Sequence, residues 1–249
     1  MTATKSKKIP IMEIFGPTIQ GEGMVIGRKT IFIRTGGCDY SCAWCDSAFT
    51  WNGEQKATMM TAQEVMDRVL ELGMVNDVRN FNHITISGGN PALIGAPMAE
   101  FISLCRKLGG IGLGLETQGT RYQSWFHDID DLTISPKPPS SKMHTDFDKL
   151  DDIMRQLYVS IVAGATTLKV VVFDDEDFEF AKKVHKRYPH VPFYLSVGNE
   201  DAKEEGDISG RLLHKLNWLW DKVLSDPEMN SVRPLPQLHT LVWANKRGV

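Results

Sequence analysis

The chain has 249 residues, 42% hydrophobic and 24% charged, with a formal net charge of −3. This length suits one domain with a sizeable core, read as 1–249, and the charge gives no footprint for nucleic acid or an anionic membrane surface. No stretch has the ~20 consecutive apolar residues of a spanning helix, and the basic start lacks the apolar run of a secretory signal, so residues 1–8 read as a short flexible tail.

Residues 9–15 predict a first strand, turned by Gly16 and Pro17 into a polar, glycine-punctuated loop at 18–23. Residues 29–35 predict a second strand, which Gly36 and Gly37 end, and 48–58 read as loop. Thr61-x-x-Glu64 is a capping-box pattern; Val65, Val69 and Leu72 follow at helical spacing, with Gly73 as the stop. Residues 83–87 predict a short apolar strand broken by Gly88-Gly89-Asn90-Pro91. A helix follows over 98–108 and strands over 111–116 and 132–135. A proline-rich loop covers 136–148, and a helix 149–160.

Residues 166–173 form a continuous apolar run, the pattern of a strand covered on both faces. Residues 174–187 carry acids first and bases last, matching a helix dipole. A strand over 193–197, an amphipathic helix over 207–224 and an extended piece over 235–243 complete the chain. Alternating strands and helices predict an α/β fold with a mostly parallel sheet. Polar and glycine-rich signals follow strand ends, as at the site edge of an α/β barrel. The chain is short for eight βα units, so the barrel is expected to be incomplete.

Three of the four cysteines, Cys38, Cys42 and Cys45, cluster with C-x3-C-x2-C spacing just past the second strand. A structural zinc site takes four ligands, usually as two close pairs, and no second pair exists. A four-iron cluster is held by cysteine thiolates; three of them leave one iron open to another molecule. A three-cysteine zinc loop and chance clustering are the competing readings. Clustered cysteines without partners elsewhere argue against a disulfide framework and for a reducing, cytoplasmic setting. Arg34, in an apolar strand, is costly to bury unless paired, and its planar fork suits a carboxylate. A structural salt bridge is the alternative. Cys105 falls on a helix face with Ile102 and Leu108 and reads as a core thiol.

The cysteine spacing, with Trp44 before the third cysteine, resembles the radical S-adenosylmethionine superfamily. Four further segments narrow the likeness: residues 13–23, residues 32–38, the run Trp44-Cys45-Asp46-Ser47, and residues 87–93. With residues 235–239 and 243–249, they resemble the 7-carboxy-7-deazaguanine synthases from one end of the chain to the other. A radical S-adenosylmethionine activase acting on a partner protein is the second reading. An activase must admit a polypeptide loop, whereas a pterin enzyme needs a small pocket with a carboxylate clamp.

The resemblance implies a modified, partial (β/α) barrel of the radical SAM type. It implies a lyase that converts 6-carboxy-5,6,7,8-tetrahydropterin to 7-carboxy-7-deazaguanine and ammonia through a 5′-deoxyadenosyl radical, on the path to queuosine. Its cofactors would be a [4Fe-4S] cluster on Cys38, Cys42 and Cys45, S-adenosylmethionine, and Mg2+ on Ser47. S-adenosylmethionine would lie against Trp44, Cys45, Asp46, Gly89, Ser135, Pro136 and Lys137. The substrate would meet Ile19, Gln20, Gly21, Arg34 and Ser87. Asn90 stands where the family commonly has glutamate, and Glu116 and Gln118 are placed to face ribose hydroxyls. A homodimer and a flavodoxin-type electron donor are also implied.

Overall fold

The computed structural model describes residues 8–159, 166–201, 204 and 206–249. The expected tail, apart from Lys8, and residue 160 of the expected helix lie outside these. Eleven strands and six α-helices are assigned in the described chain. The first part runs β1 (Ile9–Ile19), β2 (Lys29–Thr35), β3 (Thr58–Met60), α1 (Ala62–Gly73), the hairpin β4 (Met74–Val75) and β5 (Val78–Arg79), β6 (His83–Gly88), α2 (Ala96–Leu108) and β7 (Gly112–Thr117). Then come β8 (Asp131–Ile134), α3 (Phe147–Val159), β9 (Thr166–Val172), α4 (Asp175–Arg187), β10 (Phe193–Val197), α5 (Ser209–Leu224), β11 (Val232–Leu235) and α6 (Leu238–Trp243).

Nine strands form one sheet in the order β11-β10-β9-β8-β7-β6-β2-β1-β3. Every pairing from β2 to β11 is parallel. β1 returns antiparallel on β2 and also pairs antiparallel with β3. The order is linear, with β11 and β3 at its two ends, and no ladder joins those ends among the described residues. This is the partial barrel that the strand count and short connections predict. Because the ladders are parallel, Thr35, Gly88, Thr117, Val172 and Val197 all sit at the carboxyl ends of their strands, and the loops they feed share one edge.

The core lies between the sheet and its helices. Ile31, Ile84, Ile86, Leu113 and Leu168 are fully buried in central strands, and α2 adds Phe101 and Cys105. Cys105 is therefore the core thiol its helix spacing predicts. The capping box forms: Thr61 Oγ1 accepts from the Glu64 amide, and Glu64 Oε2 accepts from the Thr61 amide. His83 is a core histidine, its Nδ1 2.9 Å from Thr30 Oγ1.

The short strands β3, β4 and β5 are not expected from the pattern, and two further elements differ from it. β1 continues past Gly16 and Pro17 to Ile19, because a register shift between Phe15 and Thr18 lets the ladder to β2 absorb them. Proline is tolerated in a strand at such a bulge. The expected extended piece at 235–243 is instead a strand end followed by helix α6, with Thr240 buried on its inner side. The short apolar run there has no period that separates helix from strand.

Ile86 is completely buried in β6, beside the turn that meets the cysteine loop. Ile86→Ala should cost about 2–5 kcal/mol of unfolding free energy. Urea unfolding of the protein measures it, and a loss near zero would show that this strand does not anchor the core.

Candidate functional site

The cysteine loop hangs from the end of β2 and is clasped by the turn that ends β6. The Gly89 amide donates to the Thr35 carbonyl (2.9 Å), and the Asn90 amide to the Gly37 carbonyl (2.7 Å). A Cβ on Gly89 would lie 2.0 Å from the Gly37 carbonyl oxygen, so the backbones meet only because a side chain is missing. Gly37 has φ +90° and Gly88 φ +117°, values that favour glycine.

Asn90 is completely buried, and its carboxamide is fully engaged. Nδ2 donates to Asp39 Oδ1 (2.8 Å) and Thr120 Oγ1 (3.0 Å). Oδ1 accepts from the Ala92 amide (3.2 Å) and from Thr117 Oγ1 (2.8 Å). A glutamate here could not donate to Asp39 and would add a second carboxylate beside it. Asparagine at this position is thus explained by the loop it holds.

Cys38, Cys42 and Cys45 line one cavity together with Trp44, Asp46 and Ser47. Burial pushes all three thiols up, Cys42 to about 11. Lys137 lies close enough to oppose that rise at each. Its Nζ is 3.2 Å from Ser135 Oγ and 5.9 Å from the centre of the Trp44 ring. Gly89, Ser87 and Lys137 also line the cavity. Ser135 and Pro136 do not: both are buried behind it, and Ser135 reaches it only through Lys137. The tight succession of strand end and prolines turns only Lys137 outward.

The opposite wall begins at the end of β1. Ile19, Gln20, Gly21 and Arg34 all line it. Gln20 Oε1 accepts from the Gly21 amide (2.7 Å) and the Glu22 amide (3.3 Å). Its acceptor therefore closes the turn, and only the side-chain NH2 remains to be offered, not donor and acceptor both. Gly21 packs against the C-terminal segment, where a Cβ would lie 2.2 Å from His239 Nδ1. Arg34 forms the salt bridge weighed as its alternative role: Nη1 is 2.9 Å from Glu13 Oε1. One N–H of the fork is used, and the guanidinium still borders the cavity.

A buried ion triad completes the cavity, and the sequence reading missed it. Lys169, on β9, has a side chain only 3% exposed, with Nζ 2.5 Å from Glu22 Oε2 and 2.6 Å from Glu116 Oε1. Glu22 Oε1 also accepts from Gln237 Nε2 (2.8 Å), and His239 stands 3.8 Å away. Burial alone would raise the Glu22 carboxyl, but the Lys169 ammonium and His239 outweigh it and hold it at about 2. Burial would lower Lys169; its two carboxylates hold it above the usual lysine range instead. The missed signal was a lysine inside the apolar run 166–173. It is the same cue that marked Arg34, since a buried charge needs a partner.

A model of the radical SAM superfamily matches residues 32–160. The chain is 59% identical to the 7-carboxy-7-deazaguanine synthase of Bacillus subtilis (strain 168), across 98% of this chain and all of that one. It is 30% identical to the 7-carboxy-7-deazaguanine synthase of Synechocystis sp., across 84% of this chain and 87% of that one. The chain belongs to the 7-carboxy-7-deazaguanine synthase family of radical SAM enzymes. Its fold resembles the crystal structure of QueE from Escherichia coli, with a TM-score of 0.63 at 21% identity, covering 93% of this chain and 95% of that one.

Radical SAM membership implies a [4Fe-4S] cluster and S-adenosylmethionine, and the thiol environment fits a cluster. Thiols raised by burial stay protonated near pH 7 unless a cation takes the charge of the sulfur. N–H donors stand ready at two sulfurs: the Tyr40 amide at 3.4 Å from Cys38 Sγ, and Trp51 Nε1 at 3.5 Å from Cys45 Sγ. Among the described residues no three His, Cys, Asp or Glu side chains converge to hold a single ion.

The triad makes stability pH-dependent. Glu22 is held below its ordinary 4.5, so its stabilising share is complete above about pH 4.5 and lost as pH falls towards 2. Lys169→Met strands two carboxylates and should cost about 3–5 kcal/mol at pH 7. The deficit should shrink towards pH 4, where the stranded carboxyls take up protons. Urea unfolding at both pH values checks this, and an equal deficit at each would exclude the triad as its source.

Proposed function

We propose that this chain converts 6-carboxy-5,6,7,8-tetrahydropterin to 7-carboxy-7-deazaguanine with release of ammonia, a step towards queuosine and related 7-deazapurines. One observation carries the reading beyond family membership: the three thiols and the Arg34 fork border the same cavity. When bound, the cluster supplies the electron that cleaves S-adenosylmethionine to a 5′-deoxyadenosyl radical. Cys38, Cys42 and Cys45 hold it. Trp44, Cys45, Asp46 and the Gly89 backbone border the S-adenosylmethionine, and Lys137, steadied by Ser135 and Pro136, meets its carboxylate or ribose.

Arg34 clamps the substrate carboxylate with the N–H groups that Glu13 leaves over. Gln20 donates its NH2 to a ring acceptor, while Ile19, Gly21 and Ser87 shape the wall. Glu116 presents a carboxylate to the cavity, where it can accept from N–H groups of the pterin. Ser47 keeps a hydroxyl beside the cluster loop for Mg2+, which takes few protein ligands and would share the substrate carboxylate. From the C-terminal segment, Gln237, His239, Thr240 and Asn245 also line the cavity. A cavity that sets the Arg34 fork beside the three thiols suits a small carboxylated molecule better than the polypeptide loop an activase must admit.

The same reading makes the protein a cytoplasmic homodimer served by a flavodoxin-type donor. Its free, clustered cysteines suit a reducing compartment. Leu213, Trp220 and Leu224 leave exposed apolar surface on α5 for a second copy.

Anaerobic incubation of reconstituted protein with S-adenosylmethionine, reductant, Mg2+ and the tetrahydropterin should yield ammonia and the deazaguanine acid. Cleavage of the cofactor without either product would reject the substrate assignment and keep the superfamily. Arg34→Lys keeps the charge and loses the fork. It should weaken substrate binding about tenfold, the order expected for a charge-assisted hydrogen bond, with iron content unchanged. Unaltered affinity by equilibrium binding would remove Arg34 from the pocket.

A further inference from the structure

Two side chains reach the cysteine sulfurs without being part of the cysteine motif. Trp51, in the turn after the loop, directs indole Nε1 at Cys45 Sγ at 3.5 Å, its only hydrogen-bond partner among the described residues. Gln118, at the end of β7 and 6% exposed, directs Nε2 at Cys38 Sγ at 3.5 Å and at Asp39 Oδ1 at 2.5 Å. Sequence reading turned Gln118 towards ribose hydroxyls; its amide instead faces the cysteine loop. The distribution follows the charges. Cys38 and Cys45 are each followed by an aspartate, Asp39 and Asp46, whose carboxylates bear on them. Cys42 is followed by Ala43 and has no side-chain donor among the hydrogen bonds of the described residues. Each acid-flanked sulfur has one side-chain N–H donor, and the third has none.

We propose that Trp51 and Gln118 are positioning residues that set how readily the bound cluster accepts its electron, by stabilising negative charge on the Cys45 and Cys38 sulfurs. The inference rests on the cluster that radical SAM membership supplies, and not on the identity of the substrate. Reduction adds a negative charge that spreads onto the ligating sulfurs, and hydrogen bonds to those sulfurs are among the levers that set the potential. A donor strengthens as its acceptor becomes more negative, so it favours the reduced state. Both contacts are part-buried, where a lower dielectric enlarges the effect. Asp39 and Asp46 act in the opposite direction, and the two donors offset them.

The test is a redox titration of the reconstituted full-length protein without substrate, followed by the electron paramagnetic resonance of the reduced cluster. Trp51→Phe keeps the ring and loses the N–H; Gln118→Met keeps the length and loses the amide. Each should lower the reduced-to-oxidised ratio at fixed potential about three- to tenfold, where tenfold is ~59 mV for one electron. Asp46→Asn should move the ratio the other way. The signal comes only from loaded protein, so a variant that binds less iron still reports its potential. Both donor variants titrating with the wild type would overturn the proposal. So would a shift towards easier reduction. Loss of product formation in either variant with an unmoved potential would count against this proposal and leave the substrate reading untouched.

Discussion

The clasp between two neighbouring parallel strand ends is the constraint on which the site depends. β2 and β6 lie side by side, with Arg34 opposite Ser87 and Thr35 opposite Gly88. Their loops leave the same edge, and two amides of one donate to two carbonyls of the other. The contact is closed at backbone distance, so glycine is needed at Gly89 for steric reasons before any ligand is considered. Cys38 follows Gly37 directly, and its position is inherited from this contact. Asn90 extends the clasp sideways to Asp39, Thr117 and Thr120, tying the first cysteine to the end of the third strand of the parallel run. A loop carrying three sulfurs is in this way fixed by main chain and one carboxamide. Its own residues stay free for ligation.

The second organising feature is charge carried inside. An apolar replacement of a buried lysine with two carboxylates is often neutral or better for stability, because desolvation offsets the attraction. The triad of Lys169, Glu22 and Glu116 is thus better explained by what it presents to the cavity than by the fold. Glu22 is saturated by Lys169, its link to Gln237 and the nearby His239, so it ties the C-terminal segment to the sheet. Glu116 shares Lys169 through one oxygen and is the more exposed of the two, 32% against 14%. Lys169 holds both in place.

What could be read from sequence was what is local. β6, β9 and β10 are apolar runs bounded by turn residues, and the structure has them within a residue or so of the expected limits. The cysteine loop is visible because its members lie within eight residues of one another. The triad is not, because Glu22 and Lys169 are 147 residues apart and meet only in the folded chain. Trp51 and Gln118 escaped for a related reason: neither belongs to a motif, and their role depends on where a sulfur sits in space. The continuation of β1 and the helix α6 were missed where a bulge, and packing of a short apolar segment, override the local pattern.

Taken together, the ion pairs give the cavity a direction. On the β2 flank, Glu13 lies between two guanidiniums, with Arg34 on one oxygen and Arg247 on the other (2.9 and 2.8 Å). That cluster carries one positive charge in excess. On the β9 flank, Lys169 lies between two carboxylates, and that cluster carries one negative charge in excess when His239 is neutral. Three strands, β8, β7 and β6, separate β9 from β2 in the sheet, and Arg34 of one cluster borders the same cavity as Lys169, Glu22 and Glu116 of the other. A ligand that is anionic at one end and rich in N–H donors at the other would neutralise both. A carboxylated pterin has that polarity: its carboxylate would turn to Arg34 and its aminopyrimidinone edge to Glu116. The reverse orientation would place a carboxylate against Glu116 and N–H groups against guanidinium. Both contacts would be repulsive, so the two clusters would orient the substrate as well as bind it.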